Sequence, residues 1–331
     1  MARKRRWTPA LLFSCVSALL ALALAVFAGS RPLDLQRAFH RLPPDYEILV
    51  SLRIPRALLA LGSGGSLALA GLLFQALLRE SLATPDTLGV TGGASLGAVL
   101  AICFGWNTVG GVSAIAGSAI LGAVLVLGLV LLIASERGRI SSFSLLLAGI
   151  TVNSICSAAI LFVSNFAGFV QSLSTTRWLI GSLDALPYST LLGLIPVVAA
   201  AFALIFRHGR EWNVLAVGET WAATRGLSPS RLLLIGYLAG SVLTGAVTSL
   251  TGPIGFVGLI VPHALRHWLG ADHRILIPCS FLLGAALVAV CDVFSRTILA
   301  PVEIPVGVIT ALMGGPLFIW MLRSRKRSAV P

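Results

Sequence analysis

The sequence predicts an all-α integral membrane protein with about ten transmembrane helices and both termini on the cytoplasmic side. Hydrophobic residues make up 57% of the 331 residues, charged residues only 11%, and the mean hydropathy is +0.95. A soluble core could not bury so many apolar side chains, whereas lipid solvates them. The apolar residues also fall into runs close to the length that a bilayer requires. These observations exclude an ordinary soluble protein.

Ten apolar stretches are predicted to cross the membrane. The first follows a basic run at residues 3–6 and has about 20 residues, which exceeds the core of a cleaved signal peptide, so we expect it to be retained as a helix. The ten stretches are residues 9–29, 57–78, 88–105, 111–134, 142–167, 189–206, 230–250, 255–269, 275–297 and 305–322.

The basic residues predict the orientation of these stretches. The net charge is +12, but Lys and Arg lie in short runs between apolar stretches, a pattern typical of membrane loops and not of a nucleic-acid-binding face. With the N-terminus inside, 17 of the 24 Lys and Arg residues fall in cytoplasmic segments and 7 outside. The chain is therefore expected to form one membrane domain over residues 1–331, with its largest cytoplasmic loop at residues 207–231.

The stretch from Thr251 to His263 differs from the others because it is apolar yet rich in Gly and Pro. Proline removes a backbone donor and clashes with the preceding turn, so a regular helix cannot run through this stretch unbroken. Backbone groups freed within lipid need protein or water as partners. The stretch is expected in the middle of the bundle, beside a cavity or a moving part, or alternatively as a kinked helix that merely packs.

Small residues recur every four positions at Gly89, Gly93 and Gly97, and again at Gly236 and Gly240. This spacing lets helix backbones approach closely in lipid, and it predicts helix packing and no chemical role.

Few residues suggest chemistry inside the membrane. His263 and His267 are four residues apart but have no carboxylate between them, so an interfacial histidine pair is favoured over a metal site. Asp292 and Arg296 suit an ion pair one helical turn apart near the outer end of a helix. The five cysteines are isolated in apolar segments, where a metal site or disulfide framework is not indicated.

The sequence also lacks a nucleotide-binding P-loop. Its two lysines, Lys4 and Lys326, do not follow the required glycine-rich pattern. If ATP drives this protein, a separate chain must hydrolyse it.

The cytoplasmic loop at residues 207–231 predicts two very short helices. Gly218 could end the first, Thr220 could cap the second and Gly226 could end it. A bulky β-branched residue at position 218 is expected to be strained. Two such small helices have too little apolar surface to fold alone and no core of their own, so they are expected to dock on something, and the alternative is a solvated loop.

The sequence contains a set of motifs at residues 53–56, 71–75, 82–89, 92–95, 177–183, 215–226, 252–263 and 303–307. Together these motifs resemble the FecCD family, the permease subunits of binding-protein-dependent ABC importers for iron-siderophores, haem and cobalamin. The likeness extends from Arg53 to Pro316. One departure is Glu80-Ser81, where the family usually has Asn-Pro, in a turn near the inner end of the pathway.

The resemblance implies a type II ABC importer permease in the cell membrane (the inner or plasma membrane of a prokaryote). It implies a second permease chain, identical or homologous, two cytoplasmic ATPase subunits that bind ATP and Mg, and an external substrate-binding protein. This chain would itself be no enzyme and would bind no cofactor or metal. The expected ligand is a bulky metal chelate, most readily an iron-siderophore, with haem or cobalamin as the alternatives. A stand-alone secondary carrier or channel, or an intramembrane enzyme, would be a different class of protein.

The resemblance also implies three groups of functional residues. For the pathway group, the alternative is that its members on the fifth apolar stretch (Asn153, Ser157 and Ser164) form hydrogen bonds with their own helix backbone. ATPase coupling is expected at Leu215, Gly218, Glu219, Thr220, Ala222, Ala223, Arg225 and Gly226. The gate and pathway are expected at Glu80, Ser81, Leu82, Asn153, Ser157 and Ser164. Docking of the binding protein is expected at Arg53, Arg56 and Arg296.

The spacing of Arg53 and Arg56 gives the docking prediction a physical basis. Pro55 between them can begin a helix and would hold two guanidinium groups at a fixed offset. Arginine recognises carboxylates by two-point geometry, so a salt-sensitive surface for acidic residues is expected, and headgroup anchoring is the alternative.

Overall fold

Helices form nearly all of the regular structure, since a segment in lipid must satisfy its backbone hydrogen bonds internally. The computed structural model describes residues 7–29, 31–106, 108–109, 112–136 and 139–328. The basic run at residues 3–6 lies outside the described residues. In chain order the α-helices are α1 Trp7–Phe27, α2 Leu35–Phe39, α3 Asp45–Glu47, α4 Ile54–Leu78, α5 Val90–Cys103, α6 Ala114–Ala134, α7 Ser142–Ser164, α8 Phe169–Ile180, α9 Tyr188–Arg207, α10 Gly209–Leu215, α11 Glu219–Thr224, α12 Pro229–Thr251, α13 Val257–Leu269, α14 His273–Thr297 and α15 Val306–Ser328.

Short elements connect these helices. A π-helical segment, Ile48–Arg53, joins α3 to α4, and a 3-10 helix, Pro85–Leu88, precedes α5. Two antiparallel strand pairs lie within the described residues. They are β1 Thr108–Val109 with β2 Val112–Ser113, and β3 Ser135–Glu136 with β4 Arg139–Ile140.

Each of the ten predicted apolar stretches contains or overlaps one helix, which confirms the fold class. Among the described residues seven helices are long and apolar enough to cross a membrane: Trp7–Phe27, Asp45–Leu78, Ala114–Ala134, Ser142–Ser164, Tyr188–Arg207, Pro229–Thr251 and His273–Thr297. Two more, Val90–Cys103 and Val306–Ile319, are apolar but shorter. The remaining stretch holds α13, with 13 residues.

The helices divide into a buried centre and an exposed periphery. Burial reaches 83% of the most apolar window in the α4 span, 72% in α12 and 67% in α14, against 17–28% in α1, α6, α7 and α9. The exposed side chains of the peripheral helices are large and apolar, as lipid contact or a partner helix requires. Helix α4 therefore runs through the middle of the molecule, with Arg56 near its first residue and Arg79 as its C-cap residue.

Glycines allow the backbones of the central helices to touch. A Cβ atom at Gly71 in α4 would lie 2.0 Å from the carbonyl oxygen of Gly258 in α13. The prediction for α5 is confirmed in the same way, since a Cβ at Gly97 would lie 2.1 Å from the carbonyl oxygen of Ser118 in α6. Gly236 and Gly240 in α12 differ, because they face the side chains of Leu77 and Phe74 and not a backbone.

The predicted interruption between residues 251 and 263 is confirmed. Helix α12 ends at Thr251, α13 begins at Val257, and both Gly252 and Phe256 have φ of 68°. The helix is broken here, so the alternative of a continuous kinked helix is wrong. Side chains from α4 hold the second half in place: Gln75 Nε2 donates to Gly258 O at 3.1 Å, and Arg266 donates to Gln75 Oε1.

Candidate functional site

One end of the bundle carries α10, α11 and the start of α7, and we call it the inner end. Trp212, Leu215 and Ala222 are fully buried there, and Trp212 Nε1 donates to Ile205 O at 2.8 Å. The two short helices therefore dock on the rest of the permease, which supplies the core that they lack. Their exposed residues are Val217, Thr220, Trp221, Ala223, Thr224, Arg225 and Gly226.

The backbone of this loop differs in part from the prediction. Gly218 has φ of 160°, an extended conformation that any residue adopts, so the predicted strain of a β-branched residue at this position is wrong. Gly218 is also the N-cap residue of α11, and Thr220 therefore does not cap that helix. Gly226 follows α11 with φ of 77° and confirms the predicted helix end.

Glu219 joins α11 to two other elements at the inner end. Its Oε1 atom accepts hydrogen bonds from Ser142 N at 3.1 Å, from Ser142 Oγ at 2.7 Å and from Arg79 Nη2 at 3.2 Å. Ser142 begins α7 and Arg79 is the C-cap residue of α4. The carboxylate predicted to contact an ATPase therefore binds within its own chain, through residues that the sequence did not single out.

The predicted gate segment, residues 80–82, follows directly after α4 at the same end. Glu80 and Leu82 are exposed and Ser81 is half-buried. Glu80 Oε1 accepts a hydrogen bond from Leu82 N at 3.2 Å, so this carboxylate stabilises a tight turn. Beyond the turn the chain re-enters the bundle, and α5 begins at the fully enclosed Val90.

The predicted pathway residues on α7 lie in different surroundings. Asn153 contacts α5, where its Oδ1 lies 2.2 Å from the position that a Cβ of Gly92 would take. Ser157 is exposed, and its hydroxyl donates to Asn153 O at 2.9 Å. The alternative of bonding to the helix backbone therefore applies to Ser157. Ser164 is half-buried at the last position of α7.

The opposite end of the bundle, which we call the outer end, holds an ion cluster. Asp292 is fully buried, and its carboxylate lies 2.8 Å from Arg56 Nε and 3.2 Å from Arg296 Nε. Arg56 Nη1 lies 2.8 Å from Glu303 Oε2. The predicted pair of Asp292 with Arg296 is confirmed, and it belongs to a group of four charged side chains that we call the outer cluster.

The arginines predicted to dock a binding protein have internal partners. Arg53 and Arg296 each retain only 5% exposure. Arg53 donates to the carbonyl oxygens of Val26, Phe27 and Arg31, and Arg296 to that of Ala25, so both hold the C-terminal end of α1. The prediction that Arg53 and Arg296 contact the binding protein directly is therefore wrong, because a buried guanidinium group cannot reach a partner's carboxylate.

The chain segments that contain the motifs at residues 177–183, 252–263 and 303–307 meet at the outer end. Ser182 N donates to Thr251 O at 2.8 Å, and Gly307 N donates to Gly181 O at 3.1 Å. The segment after α8 thus links the break before α13 to the start of α15. Helix α8 was not among the predicted elements, because Arg177 and five Ser, Thr or Gln side chains interrupt its apolar run.

A cavity of about 470 Å³ opens between α8 and the outer ends of α5 and α6. Its lining includes Gln171, Ser174, Arg177, Trp178 and Asp184. Arg177 and Asp184 are exposed, so they place one cation and one anion at the rim of the outer end. Sequence reasoning missed both as site residues, although Arg177 begins the motif at residues 177–183 and Asp184 directly follows it.

The two histidines considered as a metal site are separated by their surroundings. His263 is buried with its ring edge-on to Phe318 at a centroid distance of 6.2 Å, whereas His267 is exposed. In the part of the chain that the structure describes, no three His, Cys, Asp or Glu side chains come together as a metal-binding group.

Comparison with known proteins decides the family. The sequence pattern of the FecCD transport family matches residues 17–324. The chain belongs to the FecCD transport family. It is an ABC importer permease and a multi-pass protein of the cell membrane.

Several permeases align with this sequence over most of their length. The vitamin B12 import system permease of Escherichia coli O9:H4 is 36% identical over 330 residues, covering 97% of this chain and 96% of that protein. The hemin transport system permease of Yersinia pestis is 35% identical over 285 residues, 85% of each chain. An uncharacterised ABC transporter permease of Bacillus subtilis is 37% identical over 292 residues, 86% of this chain and 81% of that protein.

A solved structure has the same fold. It is described as a metal-chelate type ABC transporter in an inward-facing conformation, and it aligns with a TM-score of 0.84 and 28% identity. The alignment covers 96% of this FecCD chain and 99% of the other. The interrupted α12–α13 segment and the short inner helices therefore belong to a permease fold that is shared over the full chain.

Proposed function

We propose that this chain forms the membrane pathway through which an ATP-driven importer brings a bulky metal chelate into the cytoplasm. The proposed ligand is an iron-siderophore, with haem and cobalamin as the alternatives. The observation that carries the proposal is the full-length likeness to a metal-chelate type transporter, together with relatives named for hemin and vitamin B12. A chelate supplies its own metal ligands, so its pathway requires none from the protein.

ATP and Mg are proposed to bind to separate ATPase subunits, and this chain to bind no cofactor. The sequence lacks a P-loop, and its two lysines lie at positions 4 and 326. The exposed residues of the inner loop offer a surface for such a subunit. Val217 is 69% exposed and Trp221 48%, and Arg225 lies over the Trp221 ring at 4.8 Å. Exposed aromatic and arginine side chains are common anchors of protein interfaces.

A complete importer is proposed to contain two permease chains, two ATPase subunits and one external binding protein. The peripheral face of α7 supports a second permease, because Ile155, Leu161 and Phe162 are each at least 61% exposed in the single chain. A partner permease that covers this face would place Ser157 beside the pathway.

Docking of the external binding protein is proposed at Arg56 and Arg177. Arg56 lies where the outer cluster meets the surface, with 13% of its side chain exposed, and the exposed Arg177 lines the same small pocket. The buried Arg53 and Arg296 would shape this surface without touching the partner. Arg177→Gln is expected to weaken docking at low salt and to change it little at high salt, since rim charges act mainly on association.

Docking can be measured by binding the purified binding protein to the reconstituted importer at two salt concentrations. Glu47→Gln, which removes an exposed charge elsewhere on the outer end, is the control. Unchanged affinity of the Arg177 variant at low salt would contradict docking at this rim.

The ligand can be identified by uptake into vesicles that contain the permease, its ATPase and its binding protein. Equal concentrations of a ferric siderophore, haem and cobalamin would be offered with ATP, separately and in competition. The proposal expects ATP-dependent accumulation of one of them. Accumulation of none, while a non-chelate substrate of the same binding protein enters, would overturn the proposed ligand class.

A further inference from the structure

At the inner end, the carboxylate of Glu219 accepts hydrogen bonds from three donor atoms. Glu219 Oε1 lies within 3.2 Å of Ser142 N, Ser142 Oγ and Arg79 Nη2. Glu219 is the first residue of α11, Ser142 the first residue of α7, and Arg79 the residue that ends α4. One side chain therefore ties together the ends of three helices.

The three helix ends have different positions relative to the pathway. Arg79 has φ of 55° and directly precedes the gate segment, residues 80–82. Helix α7 carries the predicted pathway residues. Helix α11 is the exposed inner helix, which keeps Trp221 and Arg225 available to a partner. The Glu219 carboxylate is thus the polar connection from the exposed helix to the gate segment and to α7.

The neighbouring helix α10 is attached in a different way. Trp212 is fully buried, and Asn213 donates to Asp272 Oδ1 at 2.9 Å and accepts from His273 N at 2.8 Å. Helix α11 buries only Ala222, the smallest apolar side chain available to such a contact. Helix α10 is therefore fixed to α14, whereas α11 depends on a partly exposed polar link that can break and re-form.

We propose that Glu219 is a positioning residue that transmits movement of α11 to the gate segment and to the start of α7. This inference rests on the proposed ATP-driven function. A carboxylate next to the free N–H groups at the start of α7 is favoured by the helix dipole, so α7 follows α11 as long as the bond holds. The link carries displacement and takes no part in ATP hydrolysis.

The test uses the reconstituted importer with parent, Glu219→Ala, Glu219→Gln and Arg79→Ala permeases. Glutamine keeps an oxygen that accepts from Ser142 N, whereas alanine removes it. Glu47→Ala, which removes an exposed carboxylate at the outer end, is the matched control. Each complex is measured for copurification of the ATPase, ATP hydrolysis and ligand uptake.

A gate readout accompanies these measurements. Leu82, which is 49% exposed, is replaced by cysteine in a background from which the accessible Cys15 and Cys103 are removed. The rate of labelling at position 82 is compared with and without ATP. A residue that only supported the fold would alter protein yield but not the ATP dependence of this rate.

Glu219→Ala is expected to bind the ATPase and hydrolyse ATP while uptake per ATP falls about tenfold, because the acceptor shared by Ser142 and Arg79 is lost. Its labelling at position 82 should no longer respond to ATP, and Glu219→Gln should retain most of the response. Parental uptake per ATP in Glu219→Ala or in Arg79→Ala would overturn the inference, as would loss of ATPase binding. Failure of the proposed function is distinct, since the parent importer would then show no ATP-driven uptake.

Discussion

The two ends of α4 carry charged groups in opposite surroundings. At the outer end Asp292 is fully buried between Arg56 and Arg296, whose side chains are only 13% and 6% exposed. At the inner end Arg79 and Glu219 meet at 3.2 Å with 41% and 25% of their side chains exposed. Arginine and acidic side chains therefore form a cluster around the buried Asp292 on one side of the membrane, with only Glu303 half exposed, and an accessible pair on the other.

The difference in burial separates a structural role from a conformational one. A buried charge that loses its partner stays unsolvated, so the outer cluster resists change. An exposed pair is screened by water and contributes little to stability, so it exchanges partners readily. The outer cluster holds α1, α4 and α14 together, whereas the inner pair can follow a moving partner.

The largest expected effect is at the outer cluster. Asp292→Asn removes the charge that neutralises Arg296 and should lower the free energy of unfolding by about 3–5 kcal/mol. Unfolding of the purified permease in detergent micelles measures this change. Asp184→Asn, at an exposed position of the same end, should lie within about 0.5 kcal/mol of the parent. A loss below about 1 kcal/mol for the Asp292 variant would remove the distinction between the two ends.

The middle of α4 should be nearly as sensitive, for steric reasons. Gly71→Ala places a methyl group 2.0 Å from the carbonyl oxygen of Gly258, and a backbone cannot move aside as a flexible side chain does. We expect a loss of about 1–3 kcal/mol in the same unfolding measurement. Gly128→Ala in α6 is the control, because nothing lies within 4 Å of the added atom. Equal stability of the two variants would show that α4 and α13 are not packed through their backbones.

A smaller effect is expected where α10 joins α14 at the inner end. Although burial opposes it, hydrogen bonds from Arg274 and Asn213 lower the pKa of Asp272 to about 2. The carboxylate therefore stabilises the fold above its unfolded pKa of about 4, and this contribution of roughly 1–2 kcal/mol is lost as the pH falls from about 4 to 2. Unfolding measured at pH 6 and pH 3 should show the loss in the parent and not in Asp272→Asn. A parallel decline in both proteins would contradict the assignment.

The smallest effect on stability should come from the inner pair. A double-mutant cycle between Arg79 and Glu219 is expected to give a coupling energy below about 1 kcal/mol, since both side chains are partly exposed. The same cycle between Arg56 and Asp292 should give a clearly larger value. Similar coupling energies for the two cycles would mean that the pair of Arg79 and Glu219 stabilises the fold as strongly as the pair of Arg56 and Asp292, and would contradict its proposed mobility.

Properties set by local sequence were predictable. The length of the apolar runs predicted the helices, and the Gly and Pro residues predicted the break before α13. The four-residue spacing of Asp292 and Arg296 predicted their ion pair. The burial of Arg53 was not predictable, because its partners Val26 and Phe27 belong to a distant helix end. Glu219 was found as a motif residue, but its bond to Ser142 spans 77 positions and follows only from the assembled bundle.

We propose that this FecCD permease moves its ligand only when a separate ATPase subunit hydrolyses ATP. The most direct test follows uptake of the ligand of its binding protein into vesicles that contain the permease with its ATPase, or the permease alone. Ion gradients are collapsed in both preparations. ATP or a non-hydrolysable analogue is supplied on the side of the vesicle membrane that the ATPase subunit faces. We expect accumulation only with the ATPase and hydrolysable ATP. Accumulation by the permease alone, or equal accumulation with the analogue, would contradict it and favour a secondary carrier.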